Sequence, residues 1–332
     1  MNNKPIIVVI TPVRNEAWVL DAFLTCTSSW ADRIIVADQH STDGSREIAL
    51  KYDKVTLIDN DSLEMNQAAA RMLLFQEVDK IIGDKIVLAL DADEFLSADF
   101  EKTEGWNRIM NSCPNEIFCF KWQNLYGDYK HIVPDNGYME WGCHFPQSLS
   151  LLNSYSSCED RAVHEMRIPC LQSPEITYVQ VPDIRFVHLA RVNLIRQKNK
   201  EDFYQVSSVA KLQKKLSGVS LFRVYNRIYP VDCLETEASL YNVGDNVDAR
   251  CLIRDGDVGQ YYIDEMIDIF NRDGLKKYFK LDIWDNPYLK ANGFNQKLPL
   301  RYRLLHLYLR KTQKHSEKTI VKLVDKMLKL LC

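Results

Sequence analysis

The sequence has no cysteine pair spaced as CxxC, no internal repeat and no low-complexity linker. No apolar run reaches the roughly 18 residues that a membrane span needs. Without CxxC, neither a zinc ribbon nor a thioredoxin-like motif is supported. The nine cysteines are odd in number and widely scattered, which reads as free thiols in a reducing compartment. The opening "MNNKPIIVVITPV" holds too short an apolar run for an export signal, so the expectation is a cytoplasmic protein. A net charge of -3 argues against a nucleic-acid surface spread over the whole molecule. The 332 residues, 46% hydrophobic and 26% charged, suffice for one large domain with an appendage, or for two domains.

What is present is an alternation. "PIIVVI" is a short β-branched run of the kind found in strands buried on both faces. It is followed by helical spacing in "NEAWVLDAFLTCTSSW", a strand "RIIVAD", a helix "GSREIALKY", a strand "VTLID", a helix "LEMNQAAARMLLFQEVDKII" and a fourth strand "KIVLALD". Strand and helix alternating four times predict a parallel sheet with crossover helices. Ligands of such sheets bind beyond the carboxyl ends of the strands. There the sequence places Thr11, Pro12, Arg14, Asn15 and Glu16, then Asp38, then Asp91, Asp93 and Glu94. After residue 97 the alternation stops, and the runs "EIFCFKWQNLY", "SLSLLN", "ITYVQV" and "IRFVHL" predict a mixed, partly antiparallel extension of the same sheet. From about Asn193 the pattern is helical.

"KIVLALDADEFL" carries three carboxylates within four positions at the end of a buried strand. They repel one another unless something positive neutralises them. The simplest neutraliser is a hard divalent cation, Mg²⁺ or Mn²⁺. Alternation puts Asp91 and Asp93 on one side with the small Ala92 between them, and a metal there can stabilise charge on a departing diphosphate. A surface turn whose acids cap the next helix is the plainer reading of an isolated D-x-D. The buried strand and the polar ends of its neighbours favour a metal–phosphate site.

"TPVRNEAWVLDAFLTCTSSWADRIIVADQHSTDGS" followed by "LALDADEFL" resembles the family 2 glycosyltransferases, inverting enzymes of GT-A fold, and within them the branch that includes lipopolysaccharide-core β-glucosyltransferases. The likeness is clear over residues 5–97 and fainter to about 205. It implies an α/β, Rossmann-like GT-A domain over 1–200, with a nucleotide-sugar half (1–97) and an acceptor half (98–200), then a helical region over 201–332. It implies that Thr11, Pro12, Asn15 and Glu16 line the nucleotide pocket, that Asp38 meets the uracil or ribose, and that Asp91-Ala92-Asp93 holds metal, ribose and diphosphate. Asn66 matches an Asn near the donor sugar, although the spacing from it to Gly83 is longer here. Where the family has glycine after the second strand, this chain has His40, a poorer fit if φ is positive there.

The resemblance extends to "EDRAVHEMRIP". Inverting transfer needs a carboxylate to take the acceptor's proton, and Glu165 matches by resemblance and chemistry, with Asp160 as the alternative. Either could instead be structural, Glu165 paired with Arg167 or Arg161 and Asp160 capping a turn. His188, ending "IRFVHL", matches a position where related GT-A enzymes place a late metal or diphosphate ligand; it could equally be a hydrogen-bonded core residue. Ser150 stands where that branch has an Arg, which implies a different acceptor. Trp122, Tyr126, Tyr138 and Trp141 are candidates for stacking on sugar faces. The expected partners are a nucleotide-sugar donor, UDP-linked, and a cell-envelope glycan or lipid-linked glycan acceptor, with no nucleic acid. A sugar-1-phosphate nucleotidyltransferase should have a Gly-rich loop after the first strand; "TPVRNEAW" has no glycine. A sugar- or lipid-binding scaffold that keeps the fold without chemistry stays open.

Residues 301–332 hold nine Lys/Arg and two Asp/Glu, +7, which leaves -10 for the rest. Apolar Leu304, Leu305, Tyr308, Leu309, then Ile320, Leu323, Val324, Met327 recur at helical spacing with lysines opposite. A basic amphipathic helix of this kind either lies on a membrane surface, here the inner face of the cell membrane, or packs its apolar face on the body.

Overall fold

The computed structural model describes residues 4–62, 67–133, 137–145, 150, 167–168, 176–211, 216–226, 234–235, 242–243 and 247–331. They form two compact units, Met1–Val192 with Asp232–Asp255, and Asn193–Val231 with Gly256–Cys332.

The first unit is built on an eight-stranded mixed sheet. Its parallel half is β1 (Ile6–Val13), β2 (Arg33–Asp38), β3 (Val55–Asp59) and β4 (Lys85–Ala89), connected by helices α1 (Leu20–Trp30), α2 (Ser45–Ala49) and α3 (Gln67–Asp79). β1 pairs in parallel with both β2 and β4, and β2 with β3. The reason is visible in β1. Ile7, Val9 and Val13 enter the core that holds Leu20, Phe23 and Leu24 of α1, while Val8 and Ile10 enter the core of Leu74, Phe75 and Val78 of α3. A strand that buries both faces has no room for alternation with polar residues. Each such side chain contributes about 1.5–3 kcal/mol.

The remaining strands are β5 (Glu94–Leu96), β6 (Glu116–Asn124), β7 (His131–Ile132), β8 (Tyr138–Phe145), β9 (Thr177–His188), β10 (Leu234–Glu235), β11 (Asn242–Val243) and β12 (Val247–Asp248), the last two an antiparallel pair of their own, with α4 (Glu104–Met110) after β5. The sheet order is β3-β2-β1-β4-β8-β6-β9-β5, with β8 antiparallel to β4 and β6, β9 parallel to β6, and β5 antiparallel to β9. β7 and β10 form their own short ladder. The sequence reads β9 as two runs; it is one strand, because residues 182–184 are taken up as a bulge between Val181 and Arg185 opposite β6. Pro182 lacks a donor for the ladder and is tolerated at such a bulge. β8 is a strand that the sequence reading missed. Its Gly142 lets β4 approach, since a Cβ there would run into Leu88. Cys26, Cys113, Cys143 and Cys251 are free thiols.

The second unit is helical: α5 (Leu194–Lys211), α6 (Gly218–Tyr225), α7 (Gln260–Asp273), α8 (Pro287–Ala291), α9 (Leu300–Thr312) and α10 (Thr319–Leu331). Side-chain caps start three of them. Asn193 accepts from the Ile195 and Arg196 N–H groups at 3.1 and 3.0 Å. Ser217 accepts from the Val219 N–H, and Asn286 from Tyr288 and Leu289 with Pro287 in the first turn. Val219 and Phe222 of α6 pack on Leu305 and Leu309 of α9. Arg223 ties them to the last helix, with Nε donating to Asp325 at 2.8 Å and Nη1 to Gln313 at 2.8 Å. Among the described residues no helix is long and apolar enough to cross a membrane.

Candidate active site

The carboxyl ends of β1, β2 and β4 lie side by side, because Val13 is in register with Asp38 and Ile10 with Ala89. The loops after β1 and β2 are stitched together by side chains of "HSTDGS". Asn15 donates its N–H to Ser41 Oγ at 2.9 Å and accepts from the Thr42 N–H at 2.8 Å. Glu16 N–H donates to Ser45 Oγ, and Ala17 N–H to Asp43 Oδ2, both at 2.9 Å. Trp18 Nε1 donates to the Glu16 carboxylate at 2.6 Å. Asn15 and Glu16 thus sit at the expected edge, with their polar atoms partly engaged in holding the loop. Ser41, Asp43 and Ser45 are positioning residues the sequence reading did not single out; their signal was the density of short polar side chains, which bond nearby backbone.

His40 has φ 51 and Asn15 φ 55. The turn after β2 therefore does require the left-handed region, and His40 occupies it where the resembled family has glycine. A non-glycine residue there costs about 1–2 kcal/mol, against about 0.5–1 kcal/mol of chain entropy for glycine. His40 is exposed. His40→Gly is therefore expected to stabilise the protein by about 0.5–1 kcal/mol, read as a higher urea midpoint; a lower midpoint would show that the imidazole holds the loop.

Thr11 and Asp38 are buried. Asp38 Oδ2 lies 3.4 Å from the Ser41 N–H and 3.5 Å from Arg46 Nη1. Its Oδ1 is buried with no hydrogen-bond partner among the described residues, an acceptor facing a missing donor. Ala92 is buried, and the turn it belongs to closes with Glu94 N–H donating to the Asp91 carbonyl at 3.0 Å and Asp91 N–H to Glu94 Oε2 at 2.9 Å.

The positive charge that the acid cluster demands comes in part from the chain itself. Arg167 donates through Nη1 to Glu94 Oε2 at 2.6 Å, and through Nη2 to Glu94 Oε1 and Asp91 Oδ2, both at 2.8 Å. Arg71 Nη2 reaches Asp91 Oδ1 at 3.3 Å. Both oxygens of Asp91 therefore carry a guanidinium. Burial pushes the Glu94 carboxyl above its ordinary range, against the pull of Arg167. Burial also opposes the charge on Arg167, but Asp91 and Glu94 outweigh it and raise that pKa. Among the described residues two guanidiniums thus face the three carboxylates of this corner. The sequence reading did not single out Arg71 and offered Arg167 only as a partner for Glu165; the charge requirement was legible, its fulfilment by residues 71 and 167 was not.

Asp93 and His188 form a second pair. His188 ends β9 opposite Glu94, its Nδ1 meets Asn124 Oδ1 at 2.6 Å, and its Nε2 lies 3.5 Å from Asp93 Oδ2. The Trp122 ring lies over the imidazole at 5.0 Å, so its stacking partner is a histidine. Asn124 Oδ1 accepts from Nδ1, which fixes the ring and turns Nε2 toward the Asp93 carboxylate. A ring nitrogen and a carboxylate oxygen so placed can share a proton or flank a metal ion. Histidine ligands are commonly oriented in this way through the other ring nitrogen. No group of three or more His, Cys, Asp or Glu side chains that could hold a metal gathers among the described residues. Asp93 and His188 fit Mg²⁺ or Mn²⁺ as a two-ligand site, since Mg²⁺ is commonly bound by one or two carboxylates, waters and substrate phosphates.

Asp160, Glu165 and Asn66 lie outside the described residues, as do the side chains of Tyr138 and Trp141 and all residues of "SLSLLN" except Ser150. Ser150 donates to Asp79 at 2.6 Å.

The architecture and site define an α/β domain of GT-A, Rossmann-like type, with a mixed sheet and polar strand ends. Residues 8–113 match the family model described as Glycosyl transferase family 2, so this segment is family 2 glycosyltransferase-like. It spans the parallel half, Asp38, Asp91 and Asp93, and ends before Arg167 and His188. No curated protein matches the chain. Among solved structures, HddC from Yersinia pseudotuberculosis is similar at 13% identity and TM-score 0.32, over 55% of this chain and 93% of that one. A 4-diphosphocytidyl-2C-methyl-D-erythritol synthase gives 12%, TM-score 0.35, and 55% and 90%. The inositol-1-phosphate CTP transferase from T. maritima gives 8%, TM-score 0.35, and 57% and 91%. Likenesses of this size carry no weight for the reaction.

Proposed function

We propose that the protein is a metal-dependent inverting glycosyltransferase, taking a sugar from a nucleotide diphosphate sugar, UDP-linked, to a glycan or lipid-linked glycan of the cell envelope, in the cytoplasm or at the inner membrane face. The observation that carries the proposal is the meeting of Asp38, Asp91 and Asp93 at one sheet edge within the segment that matches the glycosyltransferase model.

In this reading Thr11 and Pro12 line the nucleoside pocket, and Asp38, whose buried Oδ1 has no hydrogen-bond partner among the described residues, accepts from a uracil N–H or a ribose hydroxyl. Asp93 and His188 hold Mn²⁺ or Mg²⁺, which when bound supplies Lewis-acid stabilisation of the leaving diphosphate. Asp91, with a guanidinium on each oxygen, is the less available metal ligand and faces the ribose. The acceptor hydroxyl attacks the anomeric carbon as the bond to the diphosphate oxygen breaks, and its proton passes to a carboxylate. Glu165 is the proposed base and Asp160 the alternative. A single in-line displacement inverts the anomeric centre. Asn66 is proposed beside the donor sugar.

A nucleotide-sugar-binding scaffold without chemistry is a second reading, favoured by the saturation of Asp91 by Arg71 and Arg167. A panel of nucleotide sugars, assayed for melting-temperature shift and for slow diphosphate release with Mn²⁺, separates the two. Binding to the native state alone raises the melting temperature. A shift accompanied by release that stops on chelation is the expected result. A shift without release would make the protein a scaffold, and neither signal with any donor would overturn both readings.

A further inference from the structure

The last helix has two outer surfaces of different chemistry. Val321, Asp325 and Leu328 face the second unit's interior, with Asp325 held by Arg223 and Tyr308. On the outside, Ile320, Leu323 and Met327 are 71%, 59% and 67% exposed. They recur at i, i+3 and i+7, which is one stripe of a helix. About 100° round the helix from Leu323 and Met327 runs a second stripe, Lys322, Lys326 and Lys329, extended one turn back by Lys318, all exposed. Lys322 pairs with the exposed Glu317 at 2.8 Å. The preceding α9 shows the same division: Leu305 and Leu309 are buried, while Leu300, Leu304 and Leu307 are at least half exposed. The alternatives drawn from the sequence, packing on the body or facing a membrane, are thus not exclusive in the fold. One face packs and a second apolar stripe is left in solvent.

We infer that the outer face of α10 lies on an anionic lipid surface. Apolar side chains alone would suit several partners; the lysine stripe selects among them. A second copy docking α10 against α10 would bring like-charged lysine rows together, and the helix has no matching acidic row, its one aspartate being turned inward. A bilayer bearing anionic headgroups satisfies both stripes at once, with the apolar side chains at the headgroup–acyl boundary and the lysines extending their charge to phosphates. Residues 301–332 carry +7 against -10 elsewhere, which favours a negative surface as the partner of this segment. The inference rests on residues 300–331 and is independent of the donor chemistry.

The test is sedimentation of the full chain with vesicles of phosphatidylcholine alone and of equimolar phosphatidylcholine and phosphatidylglycerol, without nucleotide. Binding to the mixed vesicles that weakens with added salt is expected. The double variant Leu323→Gln/Met327→Gln should bind at least about tenfold more weakly, and Lys318→Glu/Lys326→Glu on the order of tenfold more weakly. All four side chains are exposed, so both variants should melt like the parent. No binding to the mixed vesicles, or equal binding to both vesicle types with both variants unaffected, would overturn the inference. So would a dimer in sedimentation velocity that Leu323→Gln/Met327→Gln dissolves while vesicles bind nothing.

Discussion

Replacing Arg167 with alanine is expected to cost the first unit about 3–5 kcal/mol, the range for removing one partner of a buried ion pair. The reason lies in what is left behind. Asp91 keeps Arg71 and is one-third exposed, but Glu94 is fully buried and loses both guanidinium bonds. Its carboxyl, already raised by burial, must rise further without Arg167. A carboxyl whose folded pKa lies above its unfolded value contributes stability that is present below the unfolded pKa and lost as pH rises through the folded one. The deficit of Arg167→Ala should therefore shrink in acid and grow toward neutral pH. Adding Glu94→Gln should recover most of it, because the amide carries no charge to desolvate. Urea unfolding of both variants at acidic and neutral pH checks this. A loss below about 1 kcal/mol at neutral pH, the size of an exposed pair, with no recovery from Glu94→Gln, would mean that the buried cluster is not held by Arg167.

The same residues explain what the sequence could and could not disclose. The parallel half was legible because β1, β2 and β4 are short runs of branched apolar residues with no polar alternation, a pattern that only a strand covered on both sides tolerates. β9 was read as two segments because Pro182 and Asp183 interrupt the apolar pattern, and a bulge is a tertiary solution that the local sequence does not announce. β5, three residues long, is shorter than any periodicity can register. Asp38, Asp91 and Asp93 were legible as a site because strand ends in such sheets converge. Arg71 was passed over although it lies in a segment noted for Asn66. Arg167 is separated from Asp91 by 76 positions, so only the need for positive charge could be inferred. Asn124 is in the same position: nothing in "KWQN" marks it as the residue that orients an imidazole 64 positions away.

The substitution with the largest expected effect on chemistry is Asp93→Asn. The side chain is almost fully buried, and its main-chain carbonyl accepts from the Leu189 N–H at 2.9 Å, a bond that asparagine preserves. The isosteric amide should therefore leave the fold intact. It removes the negative charge that, with His188, would hold the divalent cation, and an amide oxygen does not replace that charge. Diphosphate release from the nucleotide sugar identified by thermal shift is expected to fall by about 10²–10³, the range for losing one preorganised electrostatic contact at a leaving or developing oxyanion, and no concentration of Mn²⁺ should restore it. Asn124→Leu supplies the contrast. It leaves both ligands in place but releases the His188 ring, and loss of such an orienting partner costs about 10–100-fold in metal affinity or activity. Excess Mn²⁺ should therefore rescue Asn124→Leu and not Asp93→Asn. If instead the two variants respond alike to Mn²⁺, or Asp93→Asn keeps parental release while still folded, the Asp93–His188 pair holds only a proton, and the positive charge that assists departure of the diphosphate must come from Arg71 and Arg167.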